Sequence, residues 1–438
     1  MIAAQPSVSK SKAPSIGASI FPLMILSLSM VSGFTLMQSF GIMAESAKAE
    51  LGLSDMALGT VQGVAAAVPL VLLSIPIGIL VDRGNRVRLL ILMAGAWTLG
   101  TVVTAAAPSA AVLFVGRMLT GIGTTGALTA VLSLSADLCL PDQRGRAMLI
   151  NTLGKQLGIA AGFAFAGALL GWFGGLGGPV WFGDIAPWRS AQWSLAVLSG
   201  LLILPLFFLR EPARHEVEQS TRAPFKVVAG ELWSRRAFLV PLFIGQTSVV
   251  MADAAAGIWA SPVLERIYGL KPDEFGSWLG AIILVTGILG AILGGLAADW
   301  GKKSGRQGGL LYGAVAAAVV GVPAALFPIM PSVTGFAALI FLLILAGTVT
   351  GLITSVALTV LLPNELRGLS IGAFIAIAGL IGFGIAPTLV TLISSALGGE
   401  AMLANALAIV GVAVGLVSVV GFLLAVRHAP AHPLDRDV

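Results

Sequence analysis

The 438-residue chain is 57% hydrophobic and 10% charged, with a mean hydropathy of +0.99. A soluble domain carries about 25% charged residues, so this composition excludes a soluble protein and predicts an integral membrane protein. The net charge of +5 does not indicate nucleic-acid binding, because the basic residues lie in short loops between apolar runs. The single cysteine, Cys139, excludes an intrachain disulfide and a thiolate metal cluster.

Twelve apolar runs are long enough to cross a bilayer, which takes about 20 residues of helix. They predict helices at roughly 18–43, 57–81, 87–107, 111–138, 146–172, 190–209, 238–263, 276–298, 309–329, 334–361, 369–397 and 402–426. No clear small-residue cleavage site follows the first run, so we predict a first transmembrane helix rather than a removed signal peptide.

Basic residues in the loops predict the orientation in the membrane. Nineteen of the 25 Lys and Arg residues fall on the side of the N-terminus, and four fall on the other side. The positive-inside rule therefore predicts that both termini are cytoplasmic, in a bacterial inner membrane or a plasma membrane.

The longest polar interruption separates two sets of six apolar runs. The predicted units are a tail at 1–17, a six-helix half at 18–209, a linker at 210–237, a second half at 238–426 and a tail at 427–438. We predict an all-α membrane protein of twelve helices in two pseudo-repeats, because repeated halves are common in secondary transporters.

A loop motif supports this repetition. The segment Gly78-Ile-Leu-Val-Asp82-Arg83-Gly-Asn-Arg86 ends the second apolar run, and a weaker copy with Asp299 ends the eighth, 217 positions after Asp82. We predict a cytoplasmic latch in which Gly78 lets a neighbouring helix approach. Asp82 would accept hydrogen bonds from a helix N-terminus across the boundary between the halves, where the helix dipole favours an anion. Arg83 and Arg86 would hold the loop.

The repeated halves and the loop motif resemble the major facilitator superfamily over nearly the whole chain. A narrower resemblance is to its spinster-like branch. It rests on Leu51-Gly-Leu-Ser-Asp55, Pro76-x-Gly78, Asp82-Arg83-Gly-Asn-Arg86, Arg117-x-x-x-Gly121-x-Gly123, Arg210-Glu-Pro212 and Trp259-x-x-Pro262-x-Leu264-x-Arg266. The branch implies proton-linked export of lysolipids or similar amphiphiles. The branch usually carries an Asp-Arg pair where this chain has Leu36-Met37, and Glu where it has Thr124.

Three ionisable residues stand out within the predicted spans, away from the ends of those spans: Arg117, Lys155 and Asp253. Such a residue at mid-bilayer costs about 2.5–3.5 kcal/mol on the insertion scale, so it is rarely without a role. We expect Arg117 and Lys155 to attract an anionic or zwitterionic headgroup and Asp253 to couple transport to protons. The structural alternatives are that Arg117 bonds backbone carbonyls, that Lys155 and Asp253 form a salt bridge between the halves, or that Asp253 is neutral and bonded to a neighbouring helix.

Other polar residues complete the predicted substrate site. They are Gln38, Thr124, Gln246 and Trp259, on helices one, four and seven, which line the transport path in this superfamily. The alternative for any single Ser or Thr is a bond to the backbone of its own helix.

Glycines spaced four apart predict close contacts between helices. The pairs are Gly59 with Gly63, Gly158 with Gly162, and Gly290 with Gly294. The resemblance implies that these helices meet between the two halves, and the alternative is that the glycines serve ordinary static packing.

The sequence lacks the residues that an enzyme or an ATP-driven pump would need. No apolar run contains histidine, and no carboxylates stand at metal-ligand spacing, so we predict no catalytic and no metal site. The segment Gly301-Lys302-Lys303-Ser304 fails the phosphate-loop pattern, which counts against an ATP-driven pump.

We predict a secondary active transporter of a small organic anion or amphiphile, working by alternating access and coupled to protons. The alternatives are an uptake carrier for organic acids and a non-transporting sensor. The expected partners are a small-molecule or lipid-like substrate and membrane lipid, with no nucleic acid and no cofactor, and we expect a monomer.

Overall fold

The fold is known from a computed structural model that describes residues 14–140, 143–175, 185–214, 230, 232–362 and 364–430. Most of the predicted tails and much of the predicted 210–237 linker lie outside the described residues. The first six helices are α1 Ile20–Leu51, α2 Asp55–Gly59 continuing through Thr60–Val64 and Ala65–Arg83, α3 Arg86–Ala106, α4 Ala110–Asp137, α5 Arg144–Gly175, and α6 Pro187–Leu202 followed by a 3-10 turn Leu204–Phe208. The other six are α7 Arg236–Arg266, α8 Pro272–Lys303, α9 Tyr312–Ala324 with 3-10 turns Gly309–Leu311 before it and Phe327–Ile329 after it, α10 Val333–Val360, α11 Asn364–Gly379 continuing through Leu380–Ile385 and Ala386–Leu397, and α12 Leu403–Arg427.

Within the described ranges, twelve helical segments are long and apolar enough to cross a membrane. This agrees with the prediction for every span. Several helices run further than their apolar cores, and α1 extends to Leu51 rather than ending near residue 43. Its last turns carry Glu45 and Lys48, whose charges are paired with other helices, and it ends where Gly52 adopts a φ of 62°. Glycine tolerates this left-handed conformation without a steric cost.

The two ends of the helical bundle differ in what they contain. The "Arg266 end" holds the connections that follow α1, α3, α7, α9 and α11. The "linker end" holds the connections that follow α2, α4, α6, α8 and α10, together with the first and last described residues. These two names are used below without reference to the sides of a membrane.

The two six-helix repeats meet closely through α5 and α8. Added Cβ atoms at Gly276 and Gly280 of α8 would lie 2.7 Å from the carbonyl oxygen of Phe163 and 2.5 Å from that of Ala160 on α5. Only glycine therefore permits the crossing at these two points.

Two of the predicted glycine pairs make different contacts from those expected. Gly158 and Gly162 of α5 pack on α1 of their own repeat. Gly290 and Gly294 of α8 pack on α10, again within one repeat. The equal spacing of the pairs is a signal of close packing, but it does not specify the partner helix.

The pair on α2 does lie between the repeats. Gly63 sits in a π-helical turn, Thr60–Val64, and faces the backbone of Phe383 in a second π-helical turn, Leu380–Ile385, within α11. Gly59 lies against Trp259 and Pro387. π-helical turns are rare and are often found at functional sites, so their pairing at the contact between repeats is notable.

Candidate functional site

A cavity of about 150 Å³ lies between the two repeats. Its lining residues come from five helices: Gln38 of α1, Ile159 and Phe163 of α5, Asp253, Ala256, Gly257 and Ala260 of α7, Leu279 and Ile283 of α8, and Ile340 and Ile344 of α10. Only Gln38 and Asp253 contribute polar side chains. The cavity is therefore an apolar space with one amide and one carboxyl group, which suits a small, largely apolar molecule.

Asp253 is left without a partner at the cavity wall. Its Oδ1 is buried and accepts no hydrogen bond, and its carboxyl group lies directly against Gly347 of α10. A side chain at position 347 would occupy the space of the carboxyl group. Among the described residues no ion pair joins Asp253 to Lys155, so the salt bridge considered as an alternative is absent from this conformation.

Lys155 is half-buried and has no anionic partner in the described part of the chain. Its Nζ lies 5.3 Å from the centre of the Phe34 ring, an arrangement in which the ring face attracts the cation. Lys155 is four residues before Ile159, and Phe34 is four residues before Gln38, so both lie one turn from cavity-lining residues on the same helix faces. The ammonium group thus stands next to the cavity without a counter-charge.

The guanidinium group of Arg117 is hydrogen-bonded to the backbone of α1. Its Nη1 and Nη2 donate to the carbonyl oxygens of Leu36 and Met37 at 3.4 and 2.6 Å, and its guanidinium lies 5.1 Å from the centre of the Phe40 ring. These carbonyls belong to the two residues that stand where the spinster-like branch usually has Asp-Arg. The arrangement fits the structural alternative, in which Arg117 holds α4 against α1.

The remaining predicted substrate residues make contacts inside the protein. The Thr124 hydroxyl donates to the carbonyl of Thr120 in its own helix. The Gln246 amide oxygen accepts a bond of 3.1 Å from Thr354, which joins α7 to α10. Trp259 is fully buried and donates through its indole N–H to the carbonyl of Pro387 at 3.3 Å. The structure therefore places Gln38 and Asp253 in the cavity lining and Lys155 one helix turn from the lining residue Ile159, whereas Thr124, Gln246 and Trp259 lie outside the lining.

The predicted latch lies at the linker end. Gly78 has no atom within 4 Å of an added Cβ, so no neighbouring helix approaches it in this conformation. The side chains of Asp82 and Arg83 are exposed, and the backbone carbonyl of Asp82 accepts a hydrogen bond from Arg214. In the weaker copy, Asp299 is also exposed.

Arg86 differs from the rest of this loop because it is buried. It forms ion pairs with Asp137 at the end of α4 and with Glu211, whose other oxygen accepts from the backbone N–H of Val87 at 2.9 Å. Its Nη2 also donates to the carbonyl of Pro212. The sequence indicated that Arg86 holds a loop but not that it fastens α3 to α4 and to the start of the linker. The charged Glu211 in Arg210-Glu211-Pro212 was the available signal.

A charged cluster at the Arg266 end joins the two repeats. Arg266 of α7 donates to both oxygens of Glu45 at 2.9 and 2.6 Å and to both oxygens of Asp55 at 2.8 and 2.7 Å. Lys48 pairs with Asp55 at 2.6 Å and with Glu400, which precedes α12. Sequence analysis did not assign this cluster a role, because its members lie up to 352 residues apart.

The Arg266 cluster differs from the ion pairs of Arg86 in the parts of the chain that it joins. The ion pairs of the Arg266 cluster join the two repeats, whereas the ion pairs of Arg86 join α3 to α4 and to the start of the linker. The Arg266 end is therefore held together by charge in this conformation. No group of three metal-ligating side chains occurs among the residues that could be searched.

The sequence profile described as the Major Facilitator Superfamily matches residues 23–387. The chain belongs to the major facilitator superfamily. Its fold is similar to the crystal structure of a bacterial homolog to human lysosomal transporter, Spinster, in an inward-facing and unoccupied conformation. That likeness has a TM-score of 0.78, with 21% identity over 93% of this chain and 96% of the other. The predicted superfamily and the likeness to the spinster-like branch are both confirmed.

Two relatives with similar sequences are bacterial transporters. A probable 4-methylmuconolactone transporter from Cupriavidus pinatubonensis is 25% identical over 91% of this chain and 92% of its own length. A 3-(3-hydroxy-phenyl)propionate transporter from Escherichia coli is 28% identical over 44% of each chain. This superfamily member is therefore an integral, multi-pass membrane transporter of the secondary type and not an enzyme.

The transporter's charged cluster can be tested by Arg266→Gln, which removes its central cation. We expect a cysteine placed at Ala47, a fully buried α1 position between Glu45 and Lys48, to react at least about tenfold faster with a water-soluble maleimide in a Cys139→Ala background. The reason is that each charge-assisted hydrogen bond is worth about 1.5–3 kcal/mol, and about 1.4 kcal/mol is a factor of ten.

Arg189→Gln is the matched control for this measurement. Arg189 lies at the same end and pairs with Glu50, but both residues belong to the first repeat. It should leave the reactivity of the cysteine at position 47 unchanged. Equal effects of the two substitutions would show that the cluster does not hold the repeats together.

Proposed function

We propose that this transporter carries a small organic anion with a compact apolar body, by alternating access and with coupling to protons. The observation that carries the proposal is the apolar cavity between the repeats, with an unpaired cation beside it and an unpaired carboxyl group in its wall. A buried charge without a partner is costly, so such groups are retained where a ligand or a proton completes them.

The size of the cavity favours a ring-sized substrate over a lipid. A cavity of about 150 Å³ lined by Leu, Ile and Phe is large enough for benzene, and this cavity has a similar volume and a similar lining. A lysolipid would need a longer apolar channel. The two bacterial relatives are named for a lactone and for an aryl propionate, which supports the organic-anion class.

We assign the substrate's anionic group to Lys155 and one polar atom of its body to Gln38. Arg117 is not assigned to the substrate, since its Nη1 and Nη2 already bond two carbonyls of α1. The lysolipid-like amphiphile remains the second candidate, supported by the structural likeness to the Spinster homolog.

With both termini in the cytoplasm, as the loop charges predict, the Arg266 end faces outward and the linker end inward. The conformation described is then closed outside by the Arg266 cluster. During transport the protein would alternate between this conformation and a second one in which the linker end is closed. In the second conformation Gly78 would meet a neighbouring helix and Asp82 would accept hydrogen bonds from a helix N-terminus.

Lys155→Gln tests the assignment of the anionic group. In a thermal-shift titration, 3-phenylpropionate should stabilise the wild-type transporter, whereas the isosteric neutral 3-phenylpropionamide should not. Loss of one charge-assisted bond of about 1.5–3 kcal/mol should weaken binding of the carboxylate roughly 10- to 150-fold.

Two further variants sharpen this test. Lys155→Arg keeps the positive charge and should retain much of the preference for the carboxylate. Arg117→Gln should lower the melting temperature without removing the preference, because Arg117 joins helices. Equal shifts from the acid and the amide in the wild type would rule out an anion site at Lys155.

Asp253→Asn tests proton coupling, because the amide has the same shape but does not titrate. In proteoliposomes we expect exchange of labelled for unlabelled substrate to continue, while accumulation driven by an imposed pH gradient falls to the level of exchange alone. Asp273→Asn, an exposed position at the start of α8, is the control and should accumulate substrate normally. Gradient-driven accumulation by Asp253→Asn would remove this residue from the coupling mechanism.

Asp82→Asn tests the latch at the linker end. Loss of a charge at a helix N-terminus costs about 0.3–1 kcal/mol, so a cysteine at Ile79, beside an unchanged Gly78, should become roughly two- to fivefold more reactive as the linker end opens more often. Asp299→Asn in the weaker copy should change this reactivity less. Unchanged reactivity in Asp82→Asn would count against the latch.

A further inference from the structure

A groove opens between α8 and α9 at the linker end, away from the cavity between the repeats. It has a volume of about 580 Å³. Its lining residues are Ala297, Trp300, Gly301, Lys303, Ser304, Arg306, Tyr312, Gly313 and Ala316. It therefore contains small apolar residues, two aromatic residues and two cations, and no acidic residue lines it.

The groove exists because small residues share one face of α8. Ala297, Gly301 and Ser304 follow each other at spacings of four and three, so they lie above one another on the helix. Opposite them, Gly313 and Ala316 start α9, and an added Cβ at Gly313 would lie 2.7 Å from the Cβ of Ala297. The helices touch at this point, and the groove beside the contact is lined by small residues of both helices.

The two cations of this groove have no ion-pair partner among the residues that the structure describes. Lys303 and Arg306 are exposed, and neither side chain makes an ion pair with a residue that the structure describes. The first copy of the loop motif is different, because Arg86 is buried and bound to Asp137 and Glu211. In the weaker copy the arginine that would follow Asp299 is Trp300, which is 83% exposed.

We propose that this groove binds an anionic phospholipid from the leaflet at the linker end. The phosphate lies at Lys303 and Arg306, and an acyl chain follows the slot between Ala297 and Ala316. Basic pockets between transmembrane helices bind anionic headgroups, and Trp and Tyr are enriched at the depth of the headgroups. The apolar slot beside the cations can hold an acyl chain that is attached to the bound phosphate. A free phosphate ion has no such chain. The proposal does not depend on the transported substrate.

The test is quenching of tryptophan fluorescence by brominated lipids. The purified transporter is placed in nanodiscs of phosphatidylcholine containing increasing fractions of dibrominated phosphatidylglycerol or dibrominated phosphatidylcholine. Each protein is also prepared with the additional substitution Trp300→Phe. Subtracting the fluorescence of this second form from that of the first gives the fluorescence of Trp300 alone. We expect the glycerol lipid to quench Trp300 at a lower mole fraction than the choline lipid.

Charge-removing variants identify the headgroup contacts. Lys303→Gln and Arg306→Gln should each reduce the preference for phosphatidylglycerol about fivefold, the amount expected for one cation near the membrane surface. Arg427→Gln removes a cation exposed at the end of α12, which is at the same end of the bundle but outside the groove. It should leave the preference unchanged.

Four results would overturn the proposal. Equal quenching by the two lipids would show that the groove does not select anionic lipid, and an equal loss in Arg427→Gln would show a general effect of surface charge. Displacement of the brominated lipid by soluble glycerol phosphate at matched concentration would assign the cations to a free phosphate. Protection of Trp300 from both lipids would show that protein covers the groove.

Discussion

The contact between Arg266 and two acidic residues of the opposite repeat is the interaction on which the described conformation depends. One guanidinium binds Glu45 and Asp55 through four hydrogen bonds, and Lys48 continues the connection to Glu400. Because Arg266, Glu45 and Asp55 are largely shielded from water, their attraction is stronger than it would be on an open surface. The cluster joins the repeats at one end of the bundle, and α1 and α7, which carry Glu45 and Arg266, also line the cavity with Asp253.

The charges of this protein divide into those that are satisfied within the chain and those that are not. Arg86, Arg117 and Arg266 are all bonded to specific oxygens, and each joins helices that are separate in the sequence. Lys155 and Asp253 have no such partner in the part of the chain that is described, and both stand at the central cavity. Arginine suits the joining role because its planar group forms several bonds of fixed direction. The division therefore separates structural charges from those available to a ligand or a proton.

The twelve spans could be predicted from the sequence because a bilayer imposes a length and a composition on every helix that crosses it. The intramembrane charges could also be found, since an ionisable residue within an apolar run is conspicuous. The side chains and carbonyl groups that these charges contact could not be predicted, because pairing depends on which helix faces are adjacent. For Arg117 the sequence left open a substrate contact or bonds to backbone carbonyls, and its Nη1 and Nη2 bond two carbonyls of α1. For the glycine pairs of α5 and α8 it left open a contact between repeats or ordinary packing; these pairs pack within repeats, and Gly276 and Gly280 lie at the contact between repeats. The Arg266 cluster joins residues whose charges looked like ordinary loop charges.

The facing π-helical turns of α2 and α11 have a consequence for the register of these helices. A π-helical bond spans one residue more than an α-helical bond, so each turn holds a surplus residue. One residue corresponds to about 100° of rotation about the helix axis. In α2 the turn lies between Asp55, which is bound to Arg266, and Gly78 at the other end. The face that α2 presents beside Trp259 and the face that it presents at Gly78 are therefore offset by this rotation. A homologue that lacked the surplus residue would present a different side of α2 to the interior, even with the same residues at both ends.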